Sequence, residues 1–187
     1  MITIGKLKKT IEYLVEYWRR TNRIEKLYFK HKWYECIGEC KSAIDLGKTD
    51  FFVYYYLGLS KSQLNFLDES TEHLQQALAI PGSKKEKDAI QQYRSYAKYQ
   101  IAVNHRKQQN YEKAIDQLDK CIIEEPGYLN YYHLKASIYE DLEKTELAIE
   151  AVSRGLGIEP KNKELLQLQK YLAYAYSLKQ SEKGNGA

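Results

Sequence analysis

Proline is scarce in this chain: Pro81, Pro126 and Pro160 are the only three in 187 residues. With Leu, Glu, Lys, Gln and Ala abundant instead, long helices are favoured, because unbranched side chains lose little rotamer freedom there and nothing interrupts the backbone ladder. No run of about 18 apolar residues occurs, so a membrane-spanning helix is excluded by length. The opening MITIGKLKK lacks the unbroken apolar stretch and small-residue cleavage site of a secretory signal. Cysteine is sparse and odd in number. Cys36, Cys40 and Cys121 show no metal-ligand spacing, which reads as buried thiols in a cytoplasmic protein. Glycine-rich phosphate loops of the G-x-x-x-x-G-K-[ST] or G-x-G-x-x-G type are missing. His31, His73, His105 and His133 are scattered, so neither a catalytic triad nor a metal set can be assembled. The expectation is a protein with no cofactor and no enzymatic activity.

What is present begins with 43% apolar content, enough for a folded core. Charge is uneven. Residues 1–33 carry nine Lys/Arg (Lys6, Lys8, Lys9, Arg19, Arg20, Arg23, Lys26, Lys30 and Lys32) against Glu12, Glu16 and Glu25, a net of +6. The whole chain is +4, so the remainder sums to −2, and attraction to an anionic surface would be concentrated at one end. A net charge this small, without aromatics clustered at the basic end, argues against nucleic acid.

Self-similarity organises the rest. YEKAIDQLDKCIIEEP at 111–126 lies over TELAIEAVSRGLGIEP at 145–160, an offset of 34 residues. LDESTEHLQQALAI at 67–80 joins the register after ten extra residues, and WYECIGECKSAIDL at 33–46 lies 34 before it. Stacked, the copies give a small column (Cys36, Ser70, Ala114, Ala148), a larger one (Cys40, Leu74, Leu118, Val152), a second small one (Ala43, Ala77, Cys121, Gly155) and an apolar one (Ile44, Leu78, Ile122, Leu156). Small residues let helices approach, and larger ones fill the groove between them. Cys36 and Cys40, a helical turn apart with His31 nearby, fall in columns filled elsewhere by Ser, Ala, Leu and Val, so packing accounts for them. A second helical pattern precedes these segments, as in VYYYLGLSKSQL at 53–64 and YYHLKASIYEDL at 131–142, making each unit a pair of antiparallel helices.

The pattern resembles the tetratricopeptide repeat. Tyr54, Leu57 and Gly58 match its first helix in the second unit, Ile101 and Ala102 in the third, and Tyr132, Ala136 and Tyr139 in the fourth. Lys98 and Lys135 depart from it, and the first unit's leading helix hardly matches. The resemblance implies an all-α, right-handed superhelical solenoid of about nine helices, with units at 17–50, 51–84, 95–128 and 129–162. Residues 1–16 read as a basic amphipathic helix continuous with the first unit. The ten extra residues (85–94) lengthen the third unit's first helix: a Ser83-x-x-Glu86 capping box starts it, and its 24 residues to Lys107 span about 36 Å, enough to project. Residues 163–180 form a capping helix, and 181–187 a disordered tail.

In similar proteins the first helices line a concave groove that holds a partner. Carried over, the groove comprises Phe52, Tyr55, Tyr56, Tyr96, Tyr99, Gln100, Arg106, Lys107, Asn130 and His133. The Lys/Asn/Arg clamp with which some relatives hold carboxylate termini is replaced by aromatics at most places. Tyrosine, 18 in all, offers large contact area with a polar tip at small entropic cost. The function read from the sequence is thus a scaffold or adaptor that binds a protein or peptide segment through apolar or aromatic anchors. Two alternatives stay open. The stripe Leu7, Ile11, Leu14 and Trp18 suits a membrane surface or a homodimer contact, and the chain suits the docking portion of a larger enzyme.

Overall fold

The computed structural model describes residues 21–47, 49–81 and 84–185, with 84–89 and 182–185 described as backbone. The expected N-terminal stripe Leu7, Ile11, Leu14 and Trp18, and the capping residue Ser83, lie outside the described residues. All regular structure among the described residues is helical, in nine elements: α1 (21–29), α2 (Trp33–Asp45), α3 (Phe51–Gln63), α4 (Leu67–Ala79), α5 (Lys84–Lys107), α6 (Tyr111–Glu124), α7 (Asn130–Asp141), α8 (Thr145–Ile158) and α9 (Lys163–Asn185). None is long and apolar enough to cross a membrane. The chain divides into two compact halves, Met1–Gln100 and Ile101–Ala187.

Four tight turns carry the repeat. His31, Asn65, Gln109 and Glu143 take positive φ of 58°, 64°, 60° and 58°, spaced 34, 44 and 34 residues apart. Each ends a first helix in a Schellman motif, in which two amides past the helix end return to its last carbonyls. Lys32 N donates to Leu27 O at 3.0 Å and His31 N to Tyr28 O at 2.9 Å. The pairs Phe66–Lys61 (2.9 Å) and Asn65–Ser62 (3.1 Å), Asn110–His105 and Gln109–Arg106 (2.9 Å each), and Lys144–Tyr139 (2.8 Å) and Glu143–Glu140 (2.9 Å) repeat it. The second helix then starts at once, its small-column residue donating to a carbonyl four residues back: Cys36 to Lys32, Ser70 to Phe66, Ala114 to Asn110 and Ala148 to Lys144. The first unit, barely legible in its leading helix, shares this geometry in full.

Packing follows the columns. Cys36, Ser70, Ala114 and Ala148 are 0% exposed, as are Cys40, Leu74, Leu118 and Val152. Glycine is required where helices touch most closely. A β-carbon on Gly58 of α3 would lie 2.7 Å from Leu74 Cγ and 3.0 Å from the Ser70 carbonyl oxygen of α4. On Gly155 of α8 it would meet Leu165 Cδ1 of α9 at 2.7 Å and Tyr132 Cβ of α7 at 3.1 Å.

In the N-terminal half, α5 is tied to the end of α4 by Arg94, which donates to the carbonyls of Leu78 (3.0 Å) and Ile80 (2.5 Å) and lies 5.3 Å over the Phe51 ring. A cation there complements the negative end of the helix dipole and satisfies carbonyls the helix leaves open. In the C-terminal half, Asn162 caps α9 by accepting from Leu165 N at 3.1 Å, and Leu165 and Leu172 of α9 join Ala136, Ala148, Ala151 and Val152 in one core. Helix α9 continues to Asn185, through residues 181–185 expected to be disordered. Ser181 folds its hydroxyl back onto Leu178 O at 2.7 Å.

Candidate functional site

Aromatic side chains recur along the first helices of the N-terminal half because α1, α3 and α5 each present a helical face beside the next. Tyr28 of α1 meets Tyr56 of α3 at 5.3 Å between ring centroids, and Phe52 of α3 meets Tyr93 of α5 at 5.2 Å, edge to face. Within α3, Phe51, Tyr55, Tyr56 and Phe52 form a run of stacked and T-shaped contacts between 5.1 and 6.4 Å. Tyr55 also meets Tyr93 at 5.7 Å, and Tyr96 meets Tyr99 at 5.8 Å. Edge-to-face and offset pairs match positive ring edges to negative faces and add to the stability that area burial supplies.

The ten residues assigned to the groove do not share one environment. Phe52, Tyr96 and Tyr99 are half-buried and keep part of each ring in solvent. Tyr55 and Tyr56, at 5% and 2% exposure, are core instead of groove lining: each is covered by rings of its own and neighbouring helices. Gln100 is likewise buried, its amide donating to Ser62 Oγ at 2.9 Å. The correction has a simple cause. Helix α5 carries Tyr93, which the expected groove set omitted, and its ring closes over the middle of α3. Tyr28 and Phe29 of α1, the latter 66% exposed, were missed because the first unit's leading helix lacks the repeat pattern. The Tyr28 ring contacts with Trp33 and Phe29, at 5.0 and 5.5 Å, link them to the same row.

The row is also polar at its edge. The Tyr56 hydroxyl donates to Glu25 Oε1 at 3.0 Å. Burial, and then the neighbouring Glu25 carboxylate, push the Tyr56 phenol well above its usual range. Burial, followed by the nearby Tyr96 hydroxyl, pushes Tyr28 up to about 12. These phenols remain protonated near neutrality and act as hydrogen-bond donors.

The remaining groove residues belong to the C-terminal half. Arg106 makes a two-pronged ion pair with Asp141, at 2.6 and 2.9 Å. Lys107 is exposed, and Asn130 is exposed with its amide 3.3 Å from the Tyr128 hydroxyl. His133 borders an open recess of about 410 Å³ with Glu164, Gln167, Leu168 and Tyr171. Lys135, the departure from the repeat pattern, is 8% exposed, pairs with Asp119 and lies 5.7 Å over the Tyr139 ring. Among the described residues no group of three His, Cys, Asp or Glu is placed to hold a metal. Cys36, Cys40 and Cys121 are free and buried, with Cys36 Sγ 3.6 Å from Ile24 O.

Comparison with known proteins agrees with this architecture. Residues 129–162 match the tetratricopeptide repeat family. Sequence comparison with curated proteins finds no match. Among solved structures, MamA (residues 41 to the end) from Desulfovibrio magneticus RS-1 superposes with a TM-score of 0.66 at 16% identity, covering 86% of this chain and 85% of that one. A further MamA crystal structure gives 0.66 at 16% identity over 88% and 85%. The APC/C hetero-tetramer Cut9–Hcn1 gives 0.66 at 17% identity over 90% of this chain, which spans 33% of that one. At such identities the likeness is one of fold. Residues 129–162 therefore carry a tetratricopeptide repeat, and the chain has the fold of tetratricopeptide-repeat solenoid proteins.

Proposed function

We propose that this chain is a non-catalytic cytoplasmic scaffold that holds a segment of a partner protein against the first-helix face of its N-terminal half. The observation that carries the reading is the two-layered aromatic row. Tyr55 and Tyr56 form a buried, rigid base, and Tyr28, Phe29, Phe52, Tyr93, Tyr96 and Tyr99 keep ring surface accessible above it. Rings fixed by neighbours lose little further entropy on binding, so the area they desolvate converts efficiently to affinity. Phe29 at 66% exposure has no core role that would explain an aromatic there.

Photocrosslinking tests this directly. A benzoylphenylalanine placed at Phe52 or Tyr99 should capture a discrete partner species in cells of the source organism. The same probe at Gln75, exposed on the second helix α4, should not. Capture of the same species from all three sites, or from Gln75 alone, would remove the first-helix face as the docking surface.

A further inference from the structure

One carboxylate at the edge of the aromatic row has, among the described residues, a phenol for its partner and no ion pair. Glu25 sits part-buried on α1 with Oε1 accepting from the Tyr56 hydroxyl at 3.0 Å, and among the described residues that phenol is its one hydrogen-bond partner. Three basic side chains between α1 and α3 are ion-paired with other carboxylates. Arg23 pairs with Glu39 at 2.9 Å, Lys32 with Glu35 at 2.8 Å, and Lys61 with Glu69. Lys26, next in sequence, points about 100° round the helix from Glu25. Three residues further along the same helix, the half-buried ring of Tyr28 is held at 5.3 Å from Tyr56 and 5.5 Å from the exposed Phe29. The phenols stay neutral, so the Tyr56 hydroxyl gives the Glu25 carboxylate a hydrogen-bond donor and no formal charge.

We infer that Glu25, with the Tyr28 and Phe29 rings, is the subsite for an arginine side chain of the partner segment. A guanidinium matches the site in two ways at once: its face stacks on a tyrosine or phenylalanine ring, and its edge donates to a carboxylate. The free lone pairs of Glu25 receive that edge, and Tyr56 fixes the carboxylate's orientation by occupying the other oxygen. An apolar anchor would leave the carboxylate desolvated without a partner, a cost the cationic anchor avoids. The inference rests on the reading of this face as the docking surface and adds the partner's charge to it.

The experiment selects peptides from a randomised phage-displayed library against the full chain, then measures each enriched peptide as a synthetic pair in which arginine is replaced by neutral, nearly isosteric citrulline. The expected result is a recurrent arginine whose replacement weakens binding at least tenfold, on the order of 1.4 kcal/mol. In Glu25→Gln that replacement should matter less than twofold. Circular dichroism and the melting midpoint of Glu25→Gln establish that the variant is folded. Peptides lost on Phe52→Ala and Tyr99→Ala but indifferent to citrulline would overturn the arginine subsite and leave the docking face standing. Enriched peptides indifferent to Phe52→Ala and Tyr99→Ala, or no enrichment, would overturn both. Equal binding when lysine replaces arginine would refute the stacked guanidinium.

Discussion

Replacing Gly58 with alanine sets two effects of opposite sign against each other, and the structure says which prevails. Alanine in place of glycine inside a helix gains about 1 kcal/mol from backbone entropy and propensity. At Gly58 the new β-carbon would lie 2.7 and 3.0 Å from Leu74 Cγ and Cδ2, and 3.0 Å from the Ser70 carbonyl oxygen. Both neighbours are 0% exposed, so Leu74 has no space to swing into, and the Ser70 oxygen is backbone. Overpacking of this kind costs ~1–3 kcal/mol, leaving a net loss of about 1 kcal/mol. For a chain of this length that is a drop of ~2–4 °C in melting midpoint. Gly38 supplies the control: it lies in α2, exposed, and a β-carbon there meets nothing within 4 Å. Gly38→Ala should therefore raise stability by about 0.5–1 kcal/mol. Within α8 the same contrast is expected between Gly155→Ala, which meets Leu165 and Tyr132, and Gly157→Ala, which meets nothing. The assay is thermal and urea denaturation of the four variants followed by circular dichroism. Two members of a pair shifting in the same direction, or Gly58→Ala melting at or above the wild type, would refute the close-approach argument.

The left-handed turns give a second expectation: Gln109→Gly, at φ 60°, should stabilise by about 0.5–1 kcal/mol in urea denaturation because glycine adopts that conformation without steric cost. Removing the cation that closes α4 by Arg94→Leu should cost ~1–3 kcal/mol and speed hydrogen exchange at the end of α4. At high pH the sign for Tyr28 is fixed by its raised value. Its contribution is fully present below the ordinary 10.0 and lost as pH climbs through about 12, since the unfolded chain ionises first. The loss over that window should be ~1–2 kcal/mol after allowing for screening at a half-exposed hydroxyl. Tyr28→Phe should flatten that part of the stability profile, and an unchanged profile would sink the assignment.

Much of the fold was legible in the sequence because it rests on period and size. Residues such as Ala114 and Ala148 recur at the repeat distance, and helix–helix approach distance depends on side-chain volume, a property each residue carries with it. The turns were less legible. His31, Gln109 and Glu143 occupy left-handed positions where glycine is the usual signal, and the Schellman hydrogen bonds that hold them there leave no mark on side-chain identity. Part of the candidate site was legible as well: the tyrosine-rich first helices pointed to an aromatic face.

Which of those rings are accessible is another matter. Tyr55 and Tyr99 look alike in a repeat register, yet Tyr55 is covered by Tyr93 from the inserted stretch of α5, and Tyr99 keeps surface in solvent. Glu25 likewise counts as one of three acids in a basic segment until the fold sets it against the Tyr56 hydroxyl, 31 residues away in the chain. Helix formation, repeat length and the small contact positions were determined by the sequence itself, since they depend on local conformation and on volumes. Exposure, hydrogen-bond partners and the charge balance of the aromatic face were decided by tertiary structure, because each depends on which distant side chain arrives beside it.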